Sequence, residues 1–85
     1  MGLVNRVVPA ADLQAEVTKL VQRLAKGPTR AYGHMRRLMR ESFDRSLDEQ
    51  LLAEEKAFAD CATTGDMRSG IESFFARQPA QFTGH

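Results

Sequence analysis

The sequence predicts an all-α fold: a small bundle of about four amphipathic helices behind a short extended N-terminal stub. Three observations carry that expectation. Apolar residues recur at helical spacing through most of the chain, helix-breaking pairs divide it at short intervals, and only Leu3 to Val8 has the β-branched character of a strand. With 85 residues there is room for one domain at most, and a chain this short buries only roughly 60% of the surface its unfolded form exposes. Residues 1–9 are therefore read as the stub and 10–85 as a helical domain.

Leu3 to Val8 is closed by Pro9. A single strand has no partner for its backbone N–H and C=O groups, so this segment is expected to be frayed or extended. The first helix begins near Ala10 to Asp12, where Asp12 and Glu16 suit the positive end of the helix dipole. Leu13, Val17, Leu20, Val21 and Leu24 then fall on one face, and Gly27-Pro28 ends the helix. Glycine there is expected to supply a left-handed residue.

The second helix runs from Pro28 or Thr29 to about Ser42, with Ala31, Tyr32, Met35, Leu38, Met39 and Ser42 on one side and Gly33 as its weak point. Ser46-Leu47-Asp48-Glu49 has the form of a capping box, which starts a third helix extending to about Thr63. That helix is expected to bury Leu47, Leu51, Phe58 and Ala62. Thr63-Thr64-Gly65-Asp66 supplies both its stop and a new N-cap. The fourth helix covers about Asp66 to Arg77, with Met67, Ile71, Phe74 and Phe75 on one face and Gly70 marking a close approach.

Charge separates along the chain. Residues 28–45 carry five arginines against Glu41 and Asp44, while residues 46–60 carry five acids against Lys56 alone. Antiparallel packing of the second and third helices satisfies both.

The inventory for chemistry is thin. His34 lies among arginines and reads as solvated; His85 is the last residue; Cys61 reads as a small buried hydrophobe. Neither a zinc spacing nor a phosphate-binding glycine loop is present in the sequence, so no catalytic and no metal-ligating residue is assigned. The row Arg30, His34, Arg37 and its neighbour Arg36, Arg40 could meet phosphates. The acidic helix that follows and a net charge of only +1 favour a solvated or helix-pairing face. A free-standing helical interaction module, or a nucleic-acid-binding one, is the alternative reading. Apolar runs fall short of a membrane span, and the N-terminal residues carry no basic and apolar leader pattern, so no membrane partner and a cytoplasmic location are expected.

Taken together, Gly2 to Pro9 (GLVNRVVP), the Gly27-Pro28 break, Asp66 to Phe74 and the ending GIESFFARQPAQFTG resemble the C-terminal region of the enoyl-CoA hydratase/isomerase, or crotonase, superfamily. The resemblance spans the whole chain. It implies a parent that binds acyl-CoA thioesters, polarises the thioester carbonyl with two backbone N–H groups and moves protons with carboxylates. Those groups belong to the family's upstream domain, so the 85 residues alone are expected to be inactive and to hold no cofactor.

The resemblance further implies that these helices cover the active site, pack between subunits and help hold the adenosine end of coenzyme A. Phe74 and Arg77 occupy family positions bordering the adenosine, and Phe58 matches a third aromatic position. An aromatic ring stacks on adenine and a cation meets the 3′-phosphate. Arg77 stands where lysine is common, which keeps the charge and changes its geometry. By helical spacing alone, Phe58 and Phe74 read as core residues, and the two roles are compatible in a full-length parent. The partners implied are the rest of the parent, neighbouring subunits and acyl-CoA, and self-association is expected from apolar faces left uncovered.

Overall fold

The computed structural model describes residues 2–85. The chain is all-α. A 310 turn at Ala10–Asp12 leads into helix α1 (Leu13–Ala25), followed by α2 (Thr29–Glu41), a second 310 turn (Ser42–Asp44), α3 (Leu47–Ala62) and α4 (Gly65–Ala76). Among the described residues there is no strand; residues 2–9 form the extended stub, which lies along α1, with Arg6 Nη1 donating to Glu16 Oε2 at 2.9 Å. Val4, Val8, Leu13, Val17 and Leu20 line a shallow apolar groove between the two.

The helix boundaries follow local chemistry. Ser46 and Glu49 form the capping box: the Glu49 N–H donates to Ser46 Oγ at 3.2 Å, and the Ser46 N–H donates to Glu49 Oε2 at 2.7 Å. Thr64 serves two helices at once. Its hydroxyl donates to the Cys61 carbonyl at 2.6 Å, closing α3, and accepts the Met67 N–H at 3.1 Å, opening α4. Helix α4 ends in a Schellman motif: the Gln78 N–H donates to the Ser73 carbonyl at 3.0 Å and the Arg77 N–H to the Phe74 carbonyl at 3.2 Å. Arg77 takes the left-handed conformation there (φ 55°, ψ 42°), the place where glycine is usual.

Gly27 is not the left-handed residue the sequence led one to expect. The Tyr32 hydroxyl occupies the space where its Cβ would stand, so the need for glycine is the close approach of that ring.

Helices α2 and α3 pair antiparallel, as their charges require: Gln50 near the start of α3 reaches the Leu38 carbonyl at 3.4 Å, and Asp60 near its end reaches Arg30. The face that α3 turns to α2 is not its leucine and phenylalanine face. Gln50, Ala53, Ala57 and Asp60 lie inward, with Ala57 the buried hydrophobic residue of the described chain. Small side chains let the two helices approach closely, and the polar ends supply partners for the arginines. Leu47, Leu51, Phe58 and Ala62, expected to be buried, are therefore exposed on the outer side. The α1 stripe is likewise uncovered, with Leu20 and Val21 about half exposed.

Candidate functional site

The sequence places an apolar α4 beside the end of α3, and the chain then folds back so that its tail meets both. The result is an open apolar groove of about 600 Å³, in the size range of small-molecule sites. Its walls are Ala31 from α2, Cys61 from α3, Met67, Gly70 and Phe74 from α4, and Phe82 from the tail. Gly70 lies beneath the tail, where a Cβ would meet the Phe82 ring at 3.6 Å, an ordinary van der Waals contact. At the rim, Phe74 and Phe75 meet edge to face, with centroids 5.7 Å apart and planes at 78°.

Beside the groove, Asp60 gathers two side chains of α2. Arg30 grips it with Nε and Nη2 at 3.0 and 2.9 Å, and His34 Nε2 lies 2.6 Å from Oδ2. A carboxylate only accepts, so the imidazole Nε2 carries the hydrogen and donates it. The His34 bond first, then Arg30, holds the Asp60 carboxyl below the usual aspartate range. His34 is thus not the solvated residue expected from the sequence: its side chain is 20% exposed and committed to the α2–α3 contact. Arg30 is committed in the same way, which takes two members out of the row that could have met phosphates.

Of the three residues singled out in the sequence, Phe74 lines the groove, whereas Phe58 and Arg77 lie outside it, Phe58 on the outward side of α3 and Arg77 at the end of α4. All three are exposed, Phe58 by 66% and Phe74 by 78%. Sequence reading missed Asp66, a residue only 4% exposed whose carboxylate binds the tail. An acid beside an N-cap threonine signals a helix start, and nothing in its neighbours reveals a partner seventeen residues away. Among the described residues no group of three histidine, cysteine, aspartate or glutamate side chains is placed to hold a metal ion.

Comparison with known proteins places the fold. The family model for enoyl-CoA hydratase/isomerase matches residues 1–85. The chain belongs to that family. A "probable enoyl-CoA hydratase" of Rhodobacter capsulatus is 27% identical over 84 residues, covering 99% of this chain and 33% of that protein. One from Mycobacterium bovis is 33% identical over 82 residues, covering 96% of this chain and 32% of that protein. A crotonyl-CoA hydratase of Syntrophomonas wolfei is 29% identical over 82 residues, with 96% and 32% covered.

The crystal structure of an enoyl-CoA hydratase from Geobacillus kaustophilus superposes with a TM-score of 0.89 at 21% identity, over 99% of this chain and 32% of that one. That likeness is one of fold. The enoyl-CoA hydratase/isomerase segment described here spans about a third of the length of the curated relatives it matches. No helix among the described residues is long and apolar enough to cross a membrane.

Proposed function

We propose that these residues form the C-terminal helical domain of an enoyl-CoA hydratase/isomerase-like acyl-CoA enzyme, mediating subunit association and lining the CoA adenosine site. The observation that carries this reading is the family match over all 85 residues, on a chain that covers only about a third of its relatives and leaves its large apolar side chains open. A parent of this kind hydrates or isomerises enoyl-CoA thioesters, in fatty-acid or aromatic-acid breakdown, in the cytoplasm. The partners of the helices are the rest of that parent, neighbouring subunits and the acyl-CoA itself. No residue here is assigned a catalytic role, and the isolated chain is inactive on enoyl-CoA.

The adenosine contact falls to Phe74 and Arg77, with Phe58 as a further ring. Phe74 presents an exposed face at the end of α4, and Arg77, an exposed residue, follows three residues later. Stacking of adenine on a phenylalanine ring and forked hydrogen bonding of a phosphate to arginine are the interactions these groups offer.

The test is titration of the 85-residue chain with coenzyme A and with adenosine 3′,5′-bisphosphate, followed by residue-level NMR. Shifts centred on Phe58, Phe74 and Arg77 are expected with both ligands, and a shift pattern confined to other residues overturns the assignment. Turnover of crotonyl-CoA by the purified chain would overturn its description as inactive.

A further inference from the structure

The tail after α4 is held by one side chain. Asp66 Oδ1 accepts the Thr83 N–H at 2.7 Å, with the Thr83 hydroxyl at 3.5 Å, and Oδ2 accepts the Gly84 N–H at 2.8 Å. The Asp66 N–H in turn donates to the His85 carbonyl at 2.9 Å. Helix α4 does not need this carboxylate for its own start, because Thr64 already caps it. The carboxylate is nevertheless the buried polar side chain of the described residues, and its two oxygens are spent on backbone groups of the tail.

Gly84 completes the fit. Its φ is +84°, and a Cβ there would stand 2.6 Å from Thr29 Oγ1 at the start of α2, so only glycine lets the tail lie between α4 and α2. Two residues earlier, Phe82 enters the groove against Gly70. The bonds of Asp66 and the placement of Phe82 are therefore one mechanical unit.

We infer that Asp66 is a positioning residue: it latches residues 82–85 so that Phe82 stands as a detachable wall of the apolar groove, and releasing the latch opens the groove. This inference goes beyond the proposed CoA role and does not rest on it. A carboxylate suits the task because each oxygen accepts one of two adjacent N–H groups; an asparagine has one acceptor and turns an N–H₂ toward the other amide. Hydrogen bonds to a charged group are also stronger than neutral ones.

The experiment is amide hydrogen exchange, read by NMR on the full 85-residue chain, with a solvatochromic naphthalene sulfonate dye as the groove probe. Asp66→Asn is expected to speed exchange of the Thr83 and Gly84 amides by about tenfold or more. The amides of α2 and α3 should stay protected, and dye fluorescence should rise as Phe82 swings away. Gly84→Ala, which keeps the carboxylate and crowds Thr29, should give the same local result. Phe82→Ala should raise dye binding while the Thr83 and Gly84 amides remain protected, separating the wall from the latch. Tail amides as slow in Asp66→Asn as in the unmodified chain overturn the inference. So does protection lost evenly across all four helices in both Asp66→Asn and Gly84→Ala, which would make Asp66 a general stabiliser.

Discussion

Two side chains illustrate how single residues set this structure. Asp60 joins α2 to α3 through Arg30 and His34, and those bonds hold its carboxyl below the usual aspartate range. A depressed folded-state value means the charged form is favoured by folding. The stabilisation is then fully present above the unfolded value of about 3.9 and is lost as pH falls through the lower folded one. Thermal melts from neutral pH into the acid range should show Asp60→Asn less stable at neutrality, with a shallower acid loss than the unmodified chain. Parallel acid profiles for the two would remove the contribution assigned to Asp60.

Arg77 carries a different signal. A non-glycine residue in the left-handed region costs about 1–2 kcal/mol, and here it is tolerated at the end of a Schellman motif. Arg77→Gly should raise stability by about 1 kcal/mol in denaturant melts while weakening the proposed phosphate contact. Unchanged CoA binding in that variant would dissociate Arg77 from the ligand.

At the scale of the element, each helix end is a local event, which is why the sequence pattern located the helices. The capping box at Ser46 and Glu49, the Gly27-Pro28 break and the Thr64 junction all involve residues within a few positions of one another. What periodicity could not give was which face is covered. A stripe of Leu51, Phe58 and their neighbours marks an apolar side, but α3 packs through Gln50, Ala53, Ala57 and Asp60, where the small volume of the two alanines permits the close approach. The His34–Asp60 and Asp66–tail bonds span 26 and 17 residues, beyond any local pattern.

Substitutions within elements follow the same logic. Gly33 sits inside α2 with open space where a Cβ would be, so Gly33→Ala should stabilise the helix by about 1 kcal/mol. Thr64→Ala removes an N-cap and a C-terminal bond together and should cost about 1–2 kcal/mol. Equilibrium denaturation of the two variants tests both signs, and an unstable Gly33→Ala would mean that the α2 face is covered in solution.

For the molecule as a whole, the dimensions decide how it behaves. A compact chain of this length has a radius of gyration of about 12 Å, whereas this one measures 16.2 Å with extents of 45 × 38 × 19 Å. The difference comes from helices laid out as a layer. Hydrophobic burial is the main favourable term in folding, and here Leu13, Leu20 and Val21 on α1, Leu47 and Leu51 on α3 and Phe74 and Phe75 on α4 leave most of it unrealised. Covering such a surface is favourable in water, and a second copy supplies the same apolar faces. Sedimentation velocity over a rising concentration series should therefore show the isolated chain associating. Scattering at the lowest concentrations should keep a radius near the extended value, because the α2–α3 pairing and the latched tail fix the layer from within. A monomer persisting at high concentration with a radius near the compact value would mean that the helices have closed on one another, and the proposal that the open apolar faces serve subunit association would fall.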